Sequence, residues 1–442
     1  MSDSRPALEQ SAGRSAHPTF GEALRVWAQI GLMSFGGPAG QIALMHRVLV
    51  EQKKWLDEGT YLLALNFCTL LPGPEAMQLA TYSGWRMHGM RGGLAAGLLF
   101  VAPGALIILT LAALYASFGN VPAVAAVFTG IKAAVLAIVV EALIRIARRS
   151  LKGRVEWGIA CASFLAIFIF NVPFPLIVLA AGLIGYWRGT SGASNGAMQV
   201  EQAAPVPFSS TARTVGIWLA VWLLPLIAVA ALFGFDHVLT HLAVFFSKLA
   251  VVTFGGAYAV LAYMAQEAVA GYGWLLPNEM LDGLGLAETT PGPLILVTEF
   301  VGFLAGARHG GEPAMLFGLL GAAVTLWATF APCFLYVFAG APYIEWLKSV
   351  PKLQASLSAI TAAVVGVIFN LSLWFTLHVL FSARFNLAIG PLHFEVPEIA
   401  SLGPVPLALG ILAAVLLFVF RAGVITTLGV AAAASLLLTF LP

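Results

Sequence analysis

The chain has 442 residues, 60% of them hydrophobic, and its 22 Lys+Arg and 20 Asp+Glu amount to only 10%. A water-soluble globule carries roughly a quarter charged residues, so this composition, with a mean hydropathy of +0.93, excludes one. The formal net charge of +2 is too small to imply nucleic acid, and the expected surroundings are a lipid bilayer, with the helix of about 20 apolar residues as the structural unit.

Residues 1–19 hold no apolar run followed by a small-residue cleavage site, so they read as a retained, disordered N-terminus. Apolar runs then follow at Leu94–Ser117, Val121–Ile144 and Trp157–Trp187. The last is interrupted by Asn171-Val-Pro-Phe-Pro175, which predicts a short helical hairpin. Hydrophobicity collapses in a Gly/Ser/Ala/Pro-rich tract, the expected linker at 188–213. Further runs occupy Thr214–Phe235, Val238–Met264, Met315–Ala341, Leu353–Leu380, Pro404–Phe420 and Val424–Leu441. The expected organisation is an N-terminal repeat (20–187), the linker, and a C-terminal repeat with terminal helices (214–442).

The two halves repeat. Ser34-Phe-Gly-Gly37 recurs as Thr253-Phe-Gly-Gly256, Trp55-Leu56 as Trp274-Leu275, and Leu71-Pro-Gly-Pro74 as Thr290-Pro-Gly-Pro293, all at an offset of 219. After an insertion near Arg308–Pro313 the register resumes at 229, matching Val101-Ala-Pro103 to Phe330-Ala-Pro332. Ordered matches in fixed register indicate internal duplication, and duplicated membrane proteins are commonly secondary transporters.

Lys and Arg set the orientation. The cluster Arg145, Arg148, Arg149, Lys152 and Arg154 follows an apolar run, and Arg188 and Arg213 flank the linker, so both regions are expected in the cytoplasm. The turn bearing Arg86 and Arg91 joins them there. In the second half the loop with Lys348 and Lys352 takes the cytoplasmic place, although its counterpart, Gly119–Pro122, falls outside. The repeats are therefore expected to be inverted about an axis in the membrane plane. Arg308 and Arg384 run against this scheme, which puts them outside.

Broken backbone inside lipid is tolerated where it lines a cavity. Glycine permits positive φ and close approach, and proline pre-sets a first helical turn. The two FGG and two PGP motifs are thus expected to start half-helices whose N-termini converge on an anion. The substrate-binding set is Ser34, Phe35, Gly36, Gly37, Pro72, Gly73, Pro74, Lys132, Thr253, Gly255, Gly256, Thr290, Pro291, Gly292 and Pro293. The competing reading is that the small residues only let helices pack closely. Intramembrane charges are candidates for function. Lys132 can meet the substrate or pair with Glu141. Glu75, at the first turn after Pro74, and Glu288 can serve coupling or gating, or simply cap helices, and Arg86 and Arg91 can form a vestibule or a membrane anchor.

No enzyme is expected. HExxH is absent, and Gly192-Ala-Ser-Asn-Gly196 lacks the strand and helix that a nucleophile elbow needs. Cys68, Cys161 and Cys333 sit at unrelated spacings in apolar runs, so no metal, cofactor or disulfide is expected.

The stretches SFGGPAGQIALMHRVLVEQKKWLDEGTYLLALNFCTLLPGPEAMQLATYSGWRMHG and TFGGAYAVLAYMAQEAVAGYGWLLPNEMLDGLGLAETTPGP resemble the two repeats of the long-chain chromate ion transporters of bacteria. The resemblance runs from about Phe20 to Phe375. It implies an all-α, multi-pass protein of the bacterial plasma membrane with inverted repeats. Its implied activity is export of chromate from the cytoplasm, with sulfate the nearest competing substrate; an interior-negative potential by itself favours outward movement of a dianion, with or without protons. A homodimer is compatible with this reading, and an anion channel is the alternative. Glu75 and Lys132, replaced by Leu294 and Thr361 in the other repeat, imply that the halves contribute unequally.

Overall fold

The computed structural model describes residues 18–119, 121–189, 208–254, 257–344, 350–389 and 392–440. Most of the expected N-terminal tail (1–17), most of the linker (190–207), and Gly255 and Gly256 lie outside the described residues.

In the first repeat α1 (Phe20–Leu32) is capped by the Thr19 hydroxyl, which accepts from the Glu22 N–H. It stops at the first FGG, where α2 (Gly37–His46) begins with Gly36 in the left-handed region as its N-cap and Pro38 in its first turn. After a π-helical turn (Arg47–Gln52) the buried Trp55 and Leu56 redirect the chain into α3 (Glu58–Cys68), which is capped by Asp57. The first PGP ends α3, and α4 (Glu75–Phe118) follows. Helix α4 reverses at His88–Gly89, so a short arm (75–87) folds back on a long arm (90–118). Gly84 lies against Gly92, and Gly97 against Thr81, an approach that only small residues allow. Next come α5 (Pro122–Ser150), α6 (Arg154–Phe170) and α7 (Phe174–Arg188). The turn between α6 and α7 holds Asn171 in the left-handed region, which confirms the expected hairpin.

After α8 (Phe208–Phe233) the pattern returns in α9 (Val238–Val252), α10 (Ala257–Gln266) with its π turn (Glu267–Gly271), α11 (Pro277–Thr289), α12 (Val297–His309), α13 (Ala314–Gly340) and α14 (Pro351–Leu380). The repetition extends to single bonds. The N–H groups of Trp55 and Trp274 donate to the carbonyls of Leu49 and Ala268, each at 2.8 Å. The insertion lengthens both arms of the α12–α13 hairpin and its turn, and Gly302, Gly306 and Gly321 form that hairpin's close contact. Two antiparallel strands, β1 (Arg384–Ile389) and β2 (Leu392–Pro397), were not expected from the sequence; they precede α15 (Pro404–Ala414) and α16 (Val424–Phe440).

Five of these helices are long and apolar enough to cross a ~30 Å hydrocarbon core. Proline inside them is accommodated by neighbours. Pro225 of α8 cannot bond the carbonyl of Val221, and the Trp327 indole N–H from α13 donates to that oxygen at 3.2 Å. The repeats also exchange their terminal hairpins. Helices α6 and α7 pack on α14 of the second repeat, with Gly366 against Ala160 and Gly185 against Ala355 and Ser356. Helices α15 and α16 pack on α5 of the first, where Gly130 lies against Ala431 and the Ser435 hydroxyl donates to the Ala126 carbonyl at 2.7 Å.

Candidate functional site at the helix breaks

The four breaks meet in two cross-repeat junctions. The Gly73 N–H of the first PGP donates to the Thr253 carbonyl beside the second FGG at 2.9 Å, and the Gly292 N–H of the second PGP donates to the Ser34 carbonyl beside the first FGG at 2.8 Å. Such a reciprocal contact is what a two-fold relation between repeats generates. The hydroxyls of Ser34 and Thr253 donate to the carbonyls of Ile30 and Leu249 one turn back, so in this conformation both are engaged within their own helices. Each PGP glycine rests on the other repeat's long helix at an equivalent position. A Cβ on Gly292 would lie 3.4 Å from the Gly104 Cα, and one on Gly73 would lie 3.0 Å from the Cys333 Sγ. Gly104 sits midway along the long arm of α4, so this junction meets the middle of a helix long and apolar enough to cross a membrane. Helix α10 also touches the 3-10 turn Leu294–Leu296 that follows the second PGP, so the two junctions are neighbours.

The motifs differ in their surroundings. Gly36 and Gly37, at φ +85° and +69°, have nothing within 4 Å of an added Cβ, and Phe35 is 38% exposed. The first FGG therefore borders open space at the N-terminus of α2. Thr290, Pro291, Gly292 and Pro293 are all buried, whereas Pro72 is half-buried beside buried Gly73 and Pro74.

Two glutamines escape the sequence reading. The buried Gln41 amide donates to the Gly292 carbonyl at 2.5 Å and to the Ser34 carbonyl at 3.2 Å, while that of Gln78 donates to the Pro72 carbonyl at 2.6 Å. Their counterparts are Val260 and Val297, so the first repeat alone supplies amide side chains. Glutamine against valine at an otherwise apolar, repeated position is the signal that could have found them.

Lys132 needs a correction. Glu141 lies on the same helix nine residues further on, ~13.5 Å of rise away, and pairs instead with Arg145 at 3.3 Å. Lys132 Nζ is 3.2 Å from Asp282 Oδ1 on α11, and the Tyr115 hydroxyl donates to Asp282 Oδ2 at 2.8 Å. The pair joins the two repeats, with side-chain exposures of 18% for Lys132 and 7% for Asp282. Glu288 is buried and accepts a 2.7 Å hydrogen bond from Tyr258 at the start of α10, linking the approach to one junction with the helix leaving the other. Arg86 and Arg91 flank the α4 reversal and are exposed. A cavity of about 440 Å³ lies elsewhere, among α6, α10 and α14 near Asn171, Gln266 and Asn370, and includes none of the motif residues.

Comparison with known proteins agrees with this architecture. A sequence model of the chromate transporter family matches residues 21–186 and 240–437, one region in each repeat. The chain belongs to the chromate transporter family. It is 30% identical to the chromate transport protein of Cupriavidus metallidurans over 83% of this chain and 86% of that protein. Identity to the chromate transport protein of Pseudomonas aeruginosa is 32%, over 82% and 83% of the two chains. A probable chromate transport protein of Synechococcus elongatus is 28% identical over 80% and 84%. No solved structure matches. Membership of this family, with the apolar helices, makes the protein a multi-pass membrane protein built on two repeats.

Proposed function

We propose that this family member carries chromate, or a related tetrahedral oxyanion, out of the cytoplasm across the bacterial inner membrane by alternating access. The observation that carries the reading is the pair of reciprocal junctions, which brings four helix breaks together where the two repeats meet. In this reading the dianion binds over the open first FGG. The amides of Gly36, Gly37 and Ala39 and the positive end of α2 offset its charge without a full cation at that point. The Gly73–Thr253 and Gly292–Ser34 bonds fix the repeats in register, and a rocking motion of one repeat remakes both together.

The direction follows from electrostatics. Moving a dianion out of a negative interior is favoured by about 4.6 kcal/mol per 100 mV, twice the ~2.3 per elementary charge. This amounts to more than three decades of concentration at ~1.4 kcal/mol per decade. Potential alone suffices, and Glu75 or Glu288 adds proton coupling only if flux depends on a proton gradient. Uptake of the same anion would need several co-transported cations.

Inverted topology belongs to the same reading. The two arginines that opposed it are engaged locally. Arg308 makes a bidentate pair with Glu279 at 2.5 and 2.7 Å, and Arg384 donates to the Phe381 carbonyl at the end of α14 at 2.8 Å. The Arg145–Arg154 cluster then supports a cytoplasmic position for that end of α5. A cysteine at Ser150 is expected to resist an impermeant thiol reagent in intact cells, while one at Ser117, near the other end of the α4–α5 hairpin, reacts. The opposite pattern overturns the orientation.

The test of function is flux in proteoliposomes at clamped potential with chromate, sulfate and molybdate. A carrier gives saturable flux that rises with an interior-negative potential for efflux. Flux linear in concentration identifies a channel, and preference for sulfate over chromate reassigns the substrate.

A further inference from the structure

We propose that Lys132 and Tyr115 form a second oxyanion subsite on the transport path, occupied in this conformation by the Asp282 carboxylate, which stands in for the substrate. The inference rests on the oxyanion-carrier reading above and adds a step to it. One donor meets each Asp282 oxygen, at 3.2 Å from Lys132 Nζ and 2.8 Å from the Tyr115 hydroxyl. The Tyr115 hydroxyl makes a charge-assisted hydrogen bond to one oxygen and the Lys132 ammonium an ion pair with the other, an oxygen that has no hydrogen-bond partner of its own, and a tetrahedral dianion can present two oxygens to the same two groups.

The donors belong to the first repeat and the carboxylate to the second, so a motion that parts α4 and α5 from α11 withdraws Asp282 and leaves the donors free. The opposite repeat does without these charges at the equivalent positions. The equivalent positions in the opposite repeats are Leu63 for Asp282, Ile344 for Tyr115 and Thr361 for Lys132, none of them ionisable. Apolar residues of similar size serve packing at least as well as a buried ion pair. Asp282 precedes Thr290–Pro293 on α11 by about two turns, which puts the subsite between the junction and the end of the α4–α5 hairpin. The nearby charges, Glu279 and Arg308, are bonded to each other and do not compete for Lys132. The subsite exists on one side of the junction only, so it would receive the anion in the half of the cycle in which the repeats part there.

The test uses purified full-length protein and equilibrium binding of chromate and of sulfate, with flux in proteoliposomes alongside. Asp282→Asn keeps the shape and removes the competing charge. Its dissociation constant for both anions should fall about tenfold, since a larger fraction of molecules has the subsite free, and its maximal flux should fall because release slows. Adding Lys132→Met should erase the gain, and adding Tyr115→Phe should reduce it. Unchanged or weaker binding by folded Asp282→Asn, or a gain that survives Lys132→Met, overturns the proposal. The charge swap Lys132→Asp with Asp282→Lys preserves the pair and controls for folding. Wild-type binding and flux in that variant also overturn the subsite, because a purely structural pair works in either polarity. Failure of the carrier reading is separate: it appears as absent flux of every oxyanion through wild-type protein, whatever Asp282→Asn does to binding.

Discussion

Valine at Gly73 or Gly292 is expected to abolish folded protein in the membrane, whereas valine at Gly36 or Gly37 is expected to leave the protein inserted and without flux. At Gly292 the new Cβ would lie 3.0 Å from Leu296 Cδ1 and 3.4 Å from the Gly104 Cα; at Gly73 it would lie 2.8 Å from Gln78 Nε2 and 3.0 Å from Cys333 Sγ. Overpacking costs about 1–3 kcal/mol, and a branched residue at φ +98° or +116° adds about 1–3 more. Together these take much of a net stability on the order of 5–15 kcal/mol, at the contacts that join the repeats. Gly36 and Gly37 carry only the φ penalty, because nothing lies within 4 Å. There the side chain instead fills the open space in which, on the proposed reading, the anion approaches the amides. Fluorescence-detected size exclusion for folding and vesicle flux for activity separate the two classes. Equal loss of folded protein at all four positions would assign the first FGG to helix packing alone.

Lys132→Met is expected to lower the yield of folded protein, because it leaves Asp282 buried without its cation, a loss of about 3–5 kcal/mol for a broken buried pair. Part of that loss is offset because the lysine itself costs roughly 2.5–3.5 kcal/mol at bilayer depth. Combining Lys132→Met with Asp282→Asn should restore the yield of folded protein, since no charge then lacks a partner, but should not restore flux. Combining it with Glu141→Gln should restore neither, because Glu141 is bonded to Arg145. Yield and flux measured on the same preparations decide between outcomes. Recovery by Glu141→Gln would contradict the observed pairing, and wild-type flux in the Asp282 double variant would remove Lys132 from transport.

Much of this protein is legible in one dimension because its strongest signals are local. Apolar runs give the spans, Asn171-Val-Pro breaks α6 from α7, and FGG and PGP break helices wherever they occur, since Gly and Pro act on the backbone at their own position. Fixed offsets of 219 and 229 reveal the duplication without any coordinates.

What the sequence left open depends on which segments meet. It presents Gly36 and Gly292 as similar glycines, and only the packing of Gly292 on Gly104, with Gly36 left facing open space, separates them. It marks Lys132 as a charge in need of a partner, but the partner lies 150 residues away on α11 of the other repeat. It gives no sign that α6 and α7 pack on the second repeat while α15 and α16 pack on the first. The sequence alone determined a membrane-embedded, duplicated chain with helices broken at four places, because hydropathy and backbone stereochemistry act within a few residues. The tertiary structure decided that each PGP is bonded to the other repeat's FGG and that Lys132 is matched with Asp282. Those pairings are set by the shape complementarity and charge of surfaces that become neighbours only once both repeats have folded against each other.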